Sequence, residues 1–212
     1  MMIPDQEPKL IVISSPNQKD QEVSLIQDLF DAGLWRLHLR KPNWSADQMR
    51  SLLSSLAEDY LSRIVVHRRR ELMEEFPLAG YHLSSTETYP TEKLPGSLSR
   101  SFHDLDPLEN FREQLDYAFL GPIFDSVSKQ GYASAFEPSE LRSFFRKRRQ
   151  RSGPHPMTFA LGGIIPDRVR VCLGLGFDGV AALGGVWASR SPAKNLHRYL
   201  AAYPWSATLR TG

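Results

Sequence analysis

A closed (β/α)8 barrel with short loops is the fold this sequence predicts, and three observations predict it. Eight short apolar runs recur along the chain, and most are separated by segments with helical periodicity. Such alternation demands parallel strands joined by right-handed crossovers. The chain has 212 residues and no linker-like or low-complexity stretch to divide it, so it reads as one domain over 1–212, with the barrel core at about 10–202. A barrel of this kind usually needs about 250 residues and rarely fewer than about 200, which is why the loops must be short. The runner-up, a doubly wound open sheet, rarely uses eight units in so few residues.

The strands are expected at "LIVIS" (10–14), "WRLHL" (35–39), "RIVVH" (63–67), "GYHLS" (80–84), "SLSRSFH" (97–103), "YAFLG" (117–121), "MTFALGG" (157–163) and "GVAALGG" (179–185). Val23, Ile26 and Phe30 stripe the first helix, and Gly33 is placed to end it. Met49, Leu52, Leu53, Leu56 and Tyr60 stripe the second, which Ser45 and Gln48 open with a capping box. Asp106-Pro107 and Ser191-Pro192 read as a cap followed by a first-position proline, and Pro138 and Pro166 as first-turn prolines. The later stripes are Leu108, Phe111 and Leu115, then Leu141, Phe144 and Phe145, then Leu196, Tyr199 and Leu200. "STETYPTEKLPG" holds little more than one turn of helix.

Composition narrows the function classes. Hydrophobic residues make up 41% and charged residues 24%, enough for a sizeable core. A net charge of +2 is too small to imply nucleic acid, and the run "FRKRRQRS" (145–152) reads as a solvated helix end facing its dipole. Cys172 is the single cysteine, which excludes an intrachain disulfide and a cysteine-based zinc cluster. "MMIPDQEPKL" lacks the apolar core of a signal peptide, and no run approaches the roughly 18 apolar residues of a membrane span. A cytoplasmic protein without membrane or nucleic-acid partners is the expectation; Trp187, Tyr203 and Trp205 are either core or interface, and oligomeric state is not legible.

In a barrel, chemistry gathers where strands run into the following helices. Those ends are Ser14-Ser15, Arg40-Lys41, His67-Arg68, Ser84-Ser85, His103-Asp104, "GPIFDSVSK", "GGIIPD" and "GGVWAS". They are polar, basic and glycine-rich with few acids, a surface suited to an anion. Gly162-Gly163 and Gly184-Gly185 follow the last two strands, where backbone N–H groups at a helix start favour phosphate. Ser126, Ser128 and Lys129 add hydroxyls and a charge, and Arg40 offers a fork to phosphate oxygens. His103 suits acid/base work. His38 and His82 alternate with apolar neighbours and point to the barrel interior; with His67 they raise the question of a metal, but no tight ligand spacing supports one. The scarcity of carboxylates at these strand ends argues against a paired-carboxylate hydrolase.

These motifs resemble the thiamine phosphate synthase and thiazole tautomerase family of (β/α)8 barrels. "LHLRK", "GYHL", "SRSFH", "DYAFLGPIFDSVSK", "ALGGI" and "GFDGVAALGGVW" carry the resemblance, from about Leu10 to Ala188. It implies that Gly163 and Gly184-Gly185 bind a thiazole phosphate, that Ser126, Ser128 and Lys129 match the family's serine and lysine, and that Arg40 and Ser101 match its diphosphate-side arginine and fifth-strand serine. Family synthases join a hydroxymethylpyrimidine diphosphate to the thiazole with release of diphosphate, using Mg2+. Family tautomerases move a proton to make the thiazole aromatic, with a histidine that matches His103.

Departures from the synthase pattern fall on the diphosphate side. His67-Arg68 stands where synthases have Asn-Asp, His38 replaces a Gln, Pro42 replaces a lysine, and Glu87 falls near a second metal-binding Asp. The expectation is therefore an enzyme of thiamine biosynthesis with no cofactor, leaning to metal-independent proton transfer by His103. Mg2+, with Glu87 as the one ligand, enters only if it is a true synthase. That synthase and a non-catalytic phosphate-binding barrel are the alternatives.

Overall fold

The computed structural model describes residues 8–111, 114–125, 136–153, 155–188 and 191–204. Eight parallel strands close on themselves in sequence order: β1 Leu10–Ile13, β2 Arg36–Leu39, β3 Ile64–His67, β4 Gly80–Leu83, β5 Ser97–Phe102, β6 Tyr117–Leu120, β7 Met157–Leu161 and β8 Gly179–Ala182. β1 pairs with β8 through Leu10–Val180 to Val12–Ala182, which completes the ring. Each strand is only four to six residues long, and every expected run contains one.

Strand alternation divides the hydrophobic residues into two cores. Leu10, Val12, Leu37, Leu39, Ile64, Val66, Ala118, Leu120, Ala160, Val180 and Ala182 face outward and pack under the helices. Ile11, Ile13, Tyr117, Phe119, Phe159 and Ala181 fill the interior. A barrel interior is built in layers contributed by alternate strands. Here His38 of β2, His82 of β4 and Phe119 of β6 occupy one layer, with ring centroids 4.8–5.3 Å apart. His38 and His82 thus line the interior, as their alternation with apolar residues predicts.

The helices are α1 Glu22–Asp31, α2 Ala46–Ser54, α3 Glu58–Leu61, α4 Leu72–Glu75, α5 Leu105–Asn110, α6 Pro138–Gln150, α7 Val169–Leu175, α8 Gly184–Trp187 and α9 Pro192–Ala201, with a 3-10 turn at Pro166–Arg168 before α7. Ser45 and Gln48 exchange both hydrogen bonds of the capping box that opens α2. The long second stripe is two helices: α2 stops at Ser54, and α3 begins at Glu58. Leu56 and Tyr60 stay in register because both helices turn the same side to the core. Asp106 is not a cap either; α5 starts one residue earlier at Leu105, and its helix ends before Phe111 and Leu115.

The basic run is not a solvated helix end throughout. Arg148, in the last turn of α6, is 6% exposed, lies over the Phe144 ring and donates to Thr158 Oγ1. Arg149 donates to the Gly176 carbonyl, and Arg151 pairs with Glu109. The run therefore locks α6 onto its neighbours. Trp187 and Tyr203 are core residues: the Trp187 indole donates to the Ile13 carbonyl at 2.7 Å, and the Tyr203 hydroxyl to Lys9 O at 2.8 Å. Trp205 lies outside the described residues. Among the described residues no helix is long and apolar enough to cross a membrane.

No helix follows β4. The connection 84–96 runs as bends to β5, and Arg100 ties it down by donating to the Ser85 and Glu87 carbonyls. Beside it a groove of about 960 Å³ opens over Leu98, Leu108, Phe111 and Leu115.

Candidate active site

Arg40 leaves β2 into the mouth with its backbone fixed by Ser14: its N–H donates to Ser14 Oγ at 2.9 Å, and that hydroxyl donates to the Arg40 carbonyl. Its guanidinium is exposed, and among the described residues no ion pair engages it. Lys41 does the opposite. Its ammonium is buried against Glu22 and the Asn17 carbonyl and sits over the Trp44 ring. Lys41 is thus a structural cation under the rim, and Arg40 is the one displayed.

His103 follows β5 and is exposed at the rim. Its Nδ1 lies 2.7 Å from the Gly121 carbonyl at the end of β6. A carbonyl only accepts, so Nδ1 carries the hydrogen of this bond. The ring is oriented by one nitrogen and available through the other. The chain then turns through a cis Gly121–Pro122 bond. Ser126, Ser128 and Lys129 lie outside the described residues.

The two glycine corners have packing reasons of their own. A Cβ on Gly163 would meet Asp125 O at 2.6 Å and Phe124 Cβ at 2.8 Å, and its φ of +63° is left-handed. On Gly185 it would meet the Tyr199 hydroxyl at 2.1 Å. That hydroxyl donates to the Ile164 carbonyl at 2.8 Å, so Gly185 lets α9 clamp the seventh-strand corner to the eighth. Gly162 precedes Gly163 in the first corner, and Gly184 opens α8 in the second. No backbone carbonyl accepts from the N–H of Gly163, Gly184 or Gly185 among the described residues.

Where the resemblance puts the diphosphate, three imidazoles cluster. His38 Nδ1 stands 3.0 Å from His67 Nε2, while His38 Nε2 meets the Tyr117 hydroxyl at 2.7 Å. His82 Nδ1 meets Ser99 Oγ at 2.8 Å, and its Nε2 meets Ser101 Oγ at 3.0 Å. One ring nitrogen from each histidine lies within 4.8 Å of the other two. His38 and His82 are buried and His67 half-buried toward the mouth. The absence of tight spacing in the sequence is corrected here: the register pairs His67 with His82 across β3 and β4, and strands bring together what 29 and 15 positions of chain keep apart.

Burial is the main cause that holds all three rings neutral. It pushes His38 and His67 well below the ordinary imidazole value, with the charges of neighbouring histidines and arginines adding to it. His82 falls to about 3, again chiefly through burial, with Glu87 opposing the drop. Sequence reading missed Tyr117 and Ser99 as partners of this cluster. The available signal was that both fall at inward positions of their strands.

A diphosphate-bound Mg2+ does not fit these residues. Such an ion needs hard oxygen ligands. At the ends of β3 and β4 the chain offers the His67 imidazole, the exposed Arg68 cation and Glu87. Each Glu87 oxygen accepts one hydrogen bond, one from the Tyr81 hydroxyl and the other from the Ser84 N–H, so a single carboxylate is all the hard-ligand charge these strand ends offer. Arg68 also holds a left-handed φ of +66°, a conformation that non-glycine residues adopt at a cost of about 1–2 kcal/mol.

Comparisons with known proteins agree with this geometry as to family. The thiamine monophosphate synthase family model matches residues 10–186. A thiamine-phosphate synthase of Salinibacter ruber is 35% identical over 113 residues, 53% of this chain and 46% of that protein's length. The crystal structure of a thiamine phosphate pyrophosphorylase from Bacteroides thetaiotaomicron superposes with a TM-score of 0.77 at 30% identity, covering 96% of this chain and 100% of that one. A thiamine phosphate pyrophosphorylase from Pyrococcus furiosus has the same fold, with a TM-score of 0.74 at 21% identity over 93% of this chain and 96% of the other.

Proposed function

The chain belongs to the thiamine monophosphate synthase family, and from that premise we propose that it binds a thiazole phosphate at the barrel mouth and moves a proton on it through His103, without Mg2+. The observation that carries this reading is the fixed tautomer of His103, whose Nδ1–H is held by Gly121 O. An oriented imidazole with one unprotonated nitrogen at the rim can take a proton from ring carbon and return it elsewhere on the same substrate. In this reading the exposed Arg40 guanidinium and the N–H groups of Gly163, Gly184 and Gly185 supply the anion grip, and Ser101, Ser126, Ser128 and Lys129 complete it.

A second reading has its own support. The 30%-identical relative is called a thiamine phosphate pyrophosphorylase, and it is matched along its whole length. Under this reading His38, His67 and Arg68 hold a pyrimidine diphosphate that is joined to the thiazole phosphate. Assaying both reactions side by side, each with and without Mg2+, separates the two. Tautomerisation that Mg2+ leaves unchanged is expected; coupling that requires Mg2+ would establish the synthase instead. Tight phosphate binding with neither reaction would leave a non-catalytic barrel.

A further inference from the structure

We propose that His38, His67 and His82 form a binding site for one transition-metal divalent cation of the zinc class. Three independent features of the cluster lead there. The first is geometry. Ligand nitrogens about 2.0–2.1 Å from a tetrahedral zinc ion stand about 3.3 Å from one another. His38 Nδ1 and His67 Nε2 are already 3.0 Å apart, and the third nitrogen lies within 4.8 Å of both. Small ring rotations close the set.

Second, the remaining nitrogens are anchored. Metal-binding histidines use their other ring nitrogen to fix orientation and tautomer. Tyr117 holds His38 through Nε2, and Ser99 holds His82 through Nδ1. That leaves His38 Nδ1 and His82 Nε2 directed toward the shared space, where Ser101 Oγ stands 3.0 Å from His82 Nε2. Half-buried His67 is the member through which the cluster reaches the mouth, so a fourth ligand can come from Ser101 or from solvent.

Third, the site is chemically selective. Three neutral imidazoles suit zinc and its first-row neighbours and are poor partners for magnesium. They also occupy barrel positions where apolar side chains pack without any desolvation cost, as Phe119 does in the same layer. A metal held here would occupy two rings, His38 and His67, that the second reading gives to the diphosphate, and its test needs no substrate.

The probe is the metal alone, added to untagged full-length protein stripped with chelator. Calorimetric titration with Zn2+ is expected to show one ion per chain. Titration with Co2+ is expected to give the strong visible absorption of a four- or five-coordinate ion, displaced by equimolar Zn2+ and untouched by excess Mg2+. His67→Asn and His38→Gln should each weaken binding by roughly 100-fold or more, and Tyr117→Phe by about 10-fold. His103→Asn, His155→Asn and His197→Asn should leave it unchanged. Absence of one-to-one uptake by the unsubstituted chain overturns the proposal outright, whether or not the variants fold. So does weak uptake of several ions, or binding that survives His67→Asn.

Discussion

Nδ1 of His38 lies 3.0 Å from Nε2 of His67, a hydrogen-bonding contact between two rings that burial keeps uncharged. Each imidazole there serves its neighbour as donor or acceptor, so adding a proton to either puts a charge in the barrel interior. That relationship makes the fold itself sensitive to acid.

In metal-free protein, stability is expected to fall as pH drops below about 6.5, the ordinary imidazole value. The unfolded chain takes up protons there while the folded one does not, so acid favours unfolding. Each ring kept neutral contributes a slope of about 1.4 kcal/mol per pH unit until its folded value is reached. For His82 that is about 3. Urea melts between pH 7 and pH 4 read this directly. A midpoint that stays constant over that range would refute the buried neutral cluster.

If proton transfer is the role of His103, as proposed, His103→Ala should lower turnover by roughly 10²–10⁴-fold with little change in KM. His103→Gln, which can still reach Gly121 O but cannot exchange a proton, should be as slow. Steady-state kinetics on the thiazole phosphate check both. Restored rates in the glutamine variant would make the histidine a mere hydrogen-bonding group.

Gly185→Ala is expected to destabilise the fold by about 1–3 kcal/mol, because its methyl group collides with the Tyr199 hydroxyl. Tyr199→Phe alone should cost about 1 kcal/mol through its lost bond to Ile164 O. Combining them removes the colliding oxygen, so the double variant should be more stable than Gly185→Ala alone. Thermal melts of all three suffice. Additive losses would mean that the clash is not with that hydroxyl.

Glu22→Ala should destabilise by about 3–5 kcal/mol, since it strands the buried Lys41 ammonium. Replacing both members, as in Glu22→Leu with Lys41→Met, should recover most of that loss. Denaturant melts of the single and double variants decide. A single variant within 1 kcal/mol of the unsubstituted protein would show that the ammonium finds water instead.

Architecture was legible in the sequence because eight short apolar runs spaced by helical stripes admit few packings. Inward placement of His38 and His82 was legible too, from alternation. Their meeting with His67 was not: it depends on the register between β2, β3 and β4, which no local pattern states. Leu56 and Tyr60 extend the stripe of α2 so well that the break at 55–57 leaves no trace in the spacing. Arg148 is hidden among charges that look alike in one dimension, and burial distinguishes it only in three. Gly185 shows itself as a glycine, but the oxygen that requires it comes from Tyr199, fourteen positions later.

Where β4 passes to β5 the cover is a loop in place of a helix, and its Tyr89 and Leu94 pack against the outer core that holds Tyr81, Leu83 and Leu98. Those two strands carry His82, Ser99 and Ser101, and His103 follows directly after them. A molecule seated in the groove beside Leu98 and Phe111 would therefore press on a loop-covered stretch of wall whose strands run on to the rim.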